Sequence, residues 1–536
     1  MNKKNIVSGK INLLDCTFRD GGYYNNWNFE KKLVNKYLHS MGKINISIIE
    51  LGFRFLSDDK KIGDLGKSTD SYIDDLNLPK KVRLAVMINA KEYISFRDGV
   101  QHAIDLSFSN RKKSKVELVR VAIHIDDALS SRELIDKLND LGYNVILNLM
   151  QASSVSNGNL KNIAQKISKW NNLEALYFAD SFGDMDPQKV IDIVGVLKKN
   201  FKKPLGFHAH NNKGFALINS LTAIKHGVSY IDSTIMGMGR GAGNTQTENL
   251  LLELQSLDSK ERNLDHIFPL ILREFSKLKK KYNWGTNIYY YLAAEYNIHP
   301  TYIQKMLDDS KYENEGIMGA INFLKNKESS SYNDENMIEA FTGKIGSEKG
   351  KWSCKNFSKG RDILLIGAGK SIKKNIHEVE NFINKKNPQV ISININHFLD
   401  HKFIDAFIAC NDIRILLECY EYKEINKPII LPINRLEKEI KKELKNSKIF
   451  DYGLKIGPKN FEFNNYGCIN KEALGITYAL SFANASGAKK IYLAGMDGYS
   501  KGDPNQLLIE EIFNEYDKNN LIPIKTITKS KYKALN

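Results

Sequence analysis

The sequence predicts an α/β protein in several parts: an N-terminal (β/α)8 barrel at 1–258, a helical extension packing on it at 259–345, a linker at 346–360 and a second parallel α/β domain at 361–536. Three observations predict it. Eight short apolar runs alternate with amphipathic stretches between residues 12 and 258, as parallel strands covered by helices do, and eight of them imply a closed barrel. Charged and glycine-rich residues stand where several runs end, on the side where such a barrel carries its chemistry. The alternation lapses after 258 and restarts at 361, beyond a polar Gly/Ser/Lys-rich stretch at 343–360.

The eight runs are 13–16, 47–51, 82–87, 116–122, 145–149, 175–179, 205–210 and 229–235. The first, too short for a helix, leads into Thr17-Phe18-Arg19-Asp20-Gly21-Gly22 and so sets an arginine and a carboxylate at the active face. The second ends in Glu50-Leu51-Gly52-Phe53-Arg54. Glu50 there acts as an acid or base, orients a water, or simply pairs with Arg19. The fourth ends at His124, the sixth in Asp180-Ser181-Phe182-Gly183. In the seventh, Phe207-His208-Ala209-His210-Asn211-Asn212, two histidines two apart turn both imidazoles to one face of a strand. With one carboxylate and open positions for oxygen ligands, that pair makes a divalent-metal site. The eighth runs into Gly239-Arg240-Gly241-Ala242-Gly243-Asn244, whose glycines let backbone approach a ligand ahead of a helix opening near Thr247. By itself Asn244 reads as a loop cap.

Residues 259–345 read as helical, with Tyr289, Tyr290 and Tyr291 in a row. Beyond 361, Ile363-Leu364-Leu365-Ile366-Gly367-Ala368-Gly369-Lys370-Ser371 is a strand, a glycine turn and a helix start. A P-loop requires glycine at 364, where leucine stands; a dinucleotide fingerprint requires glycine at 372, where isoleucine stands. What remains is a Rossmann-like domain. Its first turn (Gly367, Gly369, Lys370, Ser371) either holds a phosphate through backbone N–H groups or is purely structural.

Composition narrows the partners. A net charge of +16, from 78 Lys and Arg against 62 Asp and Glu, invites a nucleic-acid or anionic-membrane reading. Yet the lysines alternate with acids, as at 438–445, which is a solvated helix face rather than a binding patch. Nucleic acid is therefore not expected as a partner. Five cysteines with no CxxC spacing fit a reducing compartment. The polar start at 1–5 and the lack of any run near the ~20 residues of a membrane span lead to a cytoplasmic expectation.

Taken together, D-x-T-x-R-D-G at 15–21, E-L-G-F at 50–53, D-S-x-G at 180–183, H-A-H-N-N at 208–212 and the Gly239–Asn244 loop resemble the DRE-TIM metallolyases. That superfamily includes pyruvate aldolases of the 4-hydroxy-2-oxovalerate aldolase type, hydroxymethylglutaryl-CoA lyase and isopropylmalate synthase. The resemblance implies a TIM barrel with Asp20, His208 and His210 holding a divalent metal and Asn244 as a fourth ligand. It also implies Arg19 stabilising an enolate, Ser181 holding a substrate carboxylate, and His124 in the place of a strand-end histidine. Mn2+ is the implied ion, with Mg2+ or Co2+ as alternatives. The substrates would be a 2-oxo acid and an aldehyde, and the protein a homo-oligomer. One position departs: pyruvate aldolases carry a base histidine where Tyr23 stands, and a tyrosine relays a proton only if its pKa falls well below ~10. The domain from 361 resembles, more loosely, glycosyltransferase-like domains of bacterial surface-glycan proteins. That implies a role in surface-polysaccharide precursor synthesis and a nucleotide-sugar or other phosphorylated ligand. The alternatives are an acyl-CoA-dependent Claisen synthase and a barrel that has lost catalysis and serves as a scaffold.

Overall fold

Eight parallel strands, β1 (Asn12–Asp15), β2 (Ile48–Phe53), β3 (Arg83–Asn89), β4 (Leu118–His124), β5 (Asn144–Met150), β6 (Leu173–Asp180), β7 (Leu205–Ala209) and β8 (Tyr230–Ser233), pair in sequence order and close β8 onto β1. Each coincides with one of the eight apolar runs. The coordinates are a computed structural model that describes residues 10–535 except 45, 58, 259–261, 309–313, 343–344 and 501–502. The polar start at 1–5 lies outside the described residues.

Strand pleating decides what faces inward. Leu14, Cys16, Ile48, Ala85, Leu118, Ile146, Ala175, Tyr177 and Tyr230 form the cluster inside the barrel. Their alternating neighbours, such as Leu13, Ile49, Val119 and Val145, join the larger cluster beneath the helices. A side chain two residues further on has the same parity, so Glu50, Arg120, Asn148 and Asp232 also turn inward, one layer closer to the C-terminal mouth. On β7 the inward positions are Gly206, His208 and His210. Glycine at 206 is a steric requirement: a Cβ there would stand 2.1 Å from the Tyr177 ring.

The chain divides at residue 308 rather than in the expected linker. One unit is Met1–Asp308 with Ser329–Tyr332, the other Asp309–Glu328 with Asn333–Asn536. The expected extension is therefore split, helices Ile288–Glu295 and Pro300–Asp308 belonging to the first unit and Asn314–Leu324 and Asp334–Thr342 to the second. The expected linker at 346–360 is structured instead. Its β9 (Gly346–Ser347) pairs with β15 (Gly453–Ile456), Cys354 is buried, and Trp352 stacks on Phe450 at 4.4 Å. Its glycines and lysines mask the few apolar residues that anchor it.

In the second unit β10 (Ile363–Ile366), β11 (Gln389–Ile393), β12 (Ala406–Ile408), β13 (Ile429–Leu431), β14 (Ile449–Asp451), β18 (Ile491–Ala494) and β19 (Ile524–Thr526) form a parallel sheet. Their order is β14-β13-β12-β11-β10-β18-β19. Ile363 and Leu365 pack on one face with helix Gly475–Ala485, Leu364 and Ile366 on the other with helix Ile376–Lys386. The sheet is therefore covered on both faces. Between β14 and β18 the chain adds β16 (Glu462–Asn464) and β17 (Gly467–Asn470), which complete a four-stranded sheet with β15 and β9. Among the described residues no helix is long and apolar enough to cross a membrane.

Candidate active site

After Asp15 the chain turns into a short helix, Thr17–Gly21, so Arg19 and Asp20 stand above the barrel on that turn rather than on β1 itself. The buried Asp15 carboxylate fastens the turn. It accepts from Thr17 N at 3.0 Å, Tyr37 Oη at 2.6 Å and Thr247 Oγ1 at 2.6 Å.

Asp20, His208 and His210, all buried, bring ligand atoms within 4.8 Å of one another. Donors at about 2.0–2.2 Å from one cation lie up to ~4.4 Å apart, so the trio fits an ion with little movement. The hydrogen bonding agrees. His208 Nδ1 donates to Asp232 Oδ2 at 2.8 Å, which turns Nε2 toward Asp20 Oδ2 at 3.6 Å. Among the described residues His210 Nδ1 and Asn244 Oδ1 are buried and have no partner, while Asn244 Nδ2 donates to Asp20 Oδ2. Burial holds His210 well below the usual imidazole range, so it is neutral with a lone pair to offer. Burial alone would raise Asp20, but Arg19 and the two imidazoles hold it well below the usual carboxylate range. A second trio, Cys16, His208 and Asp232, is also within reach of one ion. Burial pushes the Cys16 thiol far up, and Asp232 is committed elsewhere, so the set with Asp20 is the better donor set.

Behind these donors runs a chain of alternating charges. Arg19 Nη1 donates to Asp20 Oδ1 at 2.8 Å and its Nε to Glu50 Oε2 at 2.7 Å. Arg120 bridges Glu50 Oε2 at 3.0 Å and Asp232 Oδ2 at 2.7 Å, with its guanidinium 4.3 Å from the centre of the Tyr177 ring. Asp232 thus fixes the His208 tautomer as an outer partner of a metal ligand does. Arg19 Nη2 is buried and unpaired among the described residues, a donor left for a ligand.

These groups surround a cavity of about 90 Å3. Arg19, Asp20, Tyr23, His208, His210 and Arg240 supply charge and polarity; Phe53, Phe55, Met87, Ala122 and Met150 supply apolar wall. Ser181 lines it too, its Oγ accepting from Gln151 N at 2.8 Å, and Asn148 adds a buried Oδ1 without a partner. A wider groove of about 760 Å3 runs between helix Lys31–Lys43 and residues 266–274, away from this chemistry.

Other expected residues are placed differently. Glu50 does not line the cavity; it is locked between Arg19 and Arg120. His124 does not line it either: Nε2 donates to Gln151 Oε1 at 2.6 Å and Nδ1 accepts from Asp126 N at 3.4 Å, a satisfied histidine at the end of β4. Tyr23 lines the mouth, 38% exposed, but withdrawal of its phenol from water outweighs the pull of Arg240 and raises its pKa, the reverse of what a base needs. Of the three consecutive tyrosines it is Tyr290 that is buried and packs toward Gly241 of the glycine loop. The turn at Gly367 is not an open phosphate cradle. Gly367 N and Gly369 N donate to Ala494 O and Gly495 O, at 2.8 and 2.9 Å, and the Asp497 carboxylate takes Ser371 N at 2.8 Å together with Ser371 Oγ. A carboxylate of the chain itself fills the anion position.

Arg120, Asp232 and Arg240 went unrecognised in the sequence as site residues. A lone charge inside an apolar strand, as in Val119-Arg120-Val121 and Ile231-Asp232, was the available signal for the first two.

The HMGL-like family model matches residues 10–268. A 4-hydroxy-2-oxovalerate aldolase of Geobacillus genomosp. 3 is 31% identical over 252 residues, 46% of this chain and 71% of the relative. One from Carboxydothermus hydrogenoformans is 33% identical over 256 residues, 47% of this chain and 72% of the relative. Among solved structures, the N-terminal domain of a Bacteroides vulgatus protein described as an aldolase superposes with a TM-score of 0.50 at 32% identity. It covers 55% of this chain and 96% of that domain. Barrel, donor set and relatives agree: the chain belongs to the HMGL-like family, in its aldolase branch, and is an enzyme of the lyase class.

Proposed function

We propose that the chain is a divalent-metal-dependent aldolase that makes or breaks a carbon–carbon bond next to the enolate of a 2-oxo acid such as pyruvate. The observation that carries this reading is the convergence of Asp20, His208 and His210 on one small cavity beside the unpaired Arg19 Nη2. A divalent cation held by these three residues and Asn244, Mn2+ by preference, supplies Lewis acidity toward the carbonyl and carboxylate of the 2-oxo acid. Arg19 keeps a permanent charge beside the developing enolate oxygen and cannot lose it by deprotonation. Ser181 offers a hydroxyl to the carboxylate. Tyr23, which retains its proton, is suited to hydrogen-bond the acceptor carbonyl and donate when an alkoxide forms, rather than to act as base. The apolar wall keeps water from the carbanion.

The test is methyl-proton exchange of pyruvate in deuterated water. Exchange is expected with added Mn2+, to vanish with chelator and to be abolished in D20N; metal-independent or unchanged exchange refutes the assignment. Release of free CoA from acetyl-CoA plus a 2-oxo acid would favour a Claisen synthase instead. In the wider setting we assign the product to a building block for a bacterial surface glycan, made in the cytoplasm. The unpaired cysteines suit that compartment.

A further inference from the structure

The cavity is lined by two guanidinium groups, and only one is accounted for. Arg19 is taken by Asp20 and Glu50. The Arg240 guanidinium makes no hydrogen bond or ion pair with any described residue, and its Nε is buried without a partner among them. The Tyr23 ring stands 5.6 Å from the guanidinium carbon. Among the described residues no carboxylate pairs with it. Asp20, the one carboxylate lining the cavity, is held by Arg19 and Asn244. His299, which feels the same charge, is pushed down to about 3 by burial and by Arg240, and so is neutral.

The loop presenting Arg240 is fixed. Gly243 N donates to Arg240 O at 3.2 Å, Tyr24 Oη donates to Gly241 O at 2.8 Å, and Ala242 N donates to Asn212 Oδ1 at 3.1 Å. Gly241, at φ +70°, packs on Pro300. An arginine shown on a rigid loop with its donors unused is a preorganised anion site.

Volume decides which part of the substrate reaches it. At about 90 Å3 the cavity is well below the ~300 Å3 of a common ligand pocket, so its deep end at the metal ligands suits a short-chain acid. The acceptor must extend outward past the partly exposed residues of the mouth, Tyr23, Asn89 and Arg240.

We infer that Arg240 is an anion subsite for the acceptor, so that the aldehyde partner carries a phosphate or carboxylate a few atoms from its carbonyl. This rests on the aldolase reading above and names the class of its second substrate. With pyruvate and Mn2+ saturating, kcat/KM is measured for two pairs: glyceraldehyde 3-phosphate against glyceraldehyde, and succinic semialdehyde against butanal. The anionic member of at least one pair is expected to be preferred by more than about tenfold, and the responding pair identifies the anion. In R240Q that preference should fall by about tenfold or more, with partial return in R240K. Structural damage would lower both members of a pair alike and leave their ratio unmoved. Equal use of charged and neutral acceptors, an unchanged ratio in R240Q, or no turnover of all four while pyruvate still exchanges its methyl protons overturns the inference. Loss of that exchange in the wild type overturns the aldolase reading itself, and this inference with it.

Discussion

Asp232 never reaches the cavity, yet the orientation of His208 depends on it. With Asn in its place the Nδ1 contact weakens and Arg120 loses one of its two charged partners, keeping Glu50. D232N should bind Mn2+ about 10–100-fold more weakly, read as free-ion signal in an electron paramagnetic resonance titration. Asp70 offers a test remote from the site. Burial would raise its carboxyl, but hydrogen bonds from Ser114 and the charge of Arg54 hold it below its ordinary value. A carboxylate depressed in the folded state contributes stability that is present above its unfolded pKa and lost as pH falls through the folded one. The stability difference between wild type and D70N should therefore be constant near neutrality and shrink below about pH 4. A difference that does not move between pH 7 and pH 3 would refute the ion pair.

At the scale of the element, β7 shows how a strand can be committed on both faces. Phe207 and Ala209 pack outward, while Gly206, His208 and His210 face in. G206A drives a methyl group into the Tyr177 ring. A cost of about 1–3 kcal/mol, or more if the strand shifts, is expected from overpacking, measured by urea unfolding. The double variant G206A/Y177L should recover part of it. The strands themselves were legible because parallel strands buried on both faces read as unbroken apolar runs. The partners of the inward charges were not. Arg120 meets Glu50 70 positions away and Asp232 112 positions away, and no local pattern encodes a pairing across a barrel. The direction in which the Tyr23 phenol shifts was not legible either, since Phe53 and Arg240 reach its ring from far along the chain while Trp27 packs on it from nearby.

On the scale of the whole chain, two units with separate cores predict two unfolding transitions by calorimetry. Mn2+ should move only the barrel's transition, by about 2.7 kcal/mol at a hundredfold excess over Kd. A shift of both together, or of neither, would contradict the assignment of the ligands. The eight-stranded barrel, the His-x-His pair and the Arg-Asp turn could be read from residue order alone. The boundary at 308 could not, because helices on either side of it share one amphipathic texture and differ only in which core they join. The stretch at 346–360 misled through composition: three anchoring side chains, Trp352, Cys354 and Phe357, outweigh nine polar residues and three glycines once a groove exists to receive them.

Because β1 hydrogen-bonds to both β2 and β8, the barrel seam joins residues more than 200 positions apart. During ribosomal synthesis the leading strand keeps one bare edge until Tyr230–Ser233 has emerged, and an unpaired edge invites association with other chains. Asp20 likewise waits for His208, His210 and Asn244. If these four residues hold the cation as proposed, its capture is a late event in a nearly finished barrel, and a nascent chain interrupted before that point lacks all but one of the ligands.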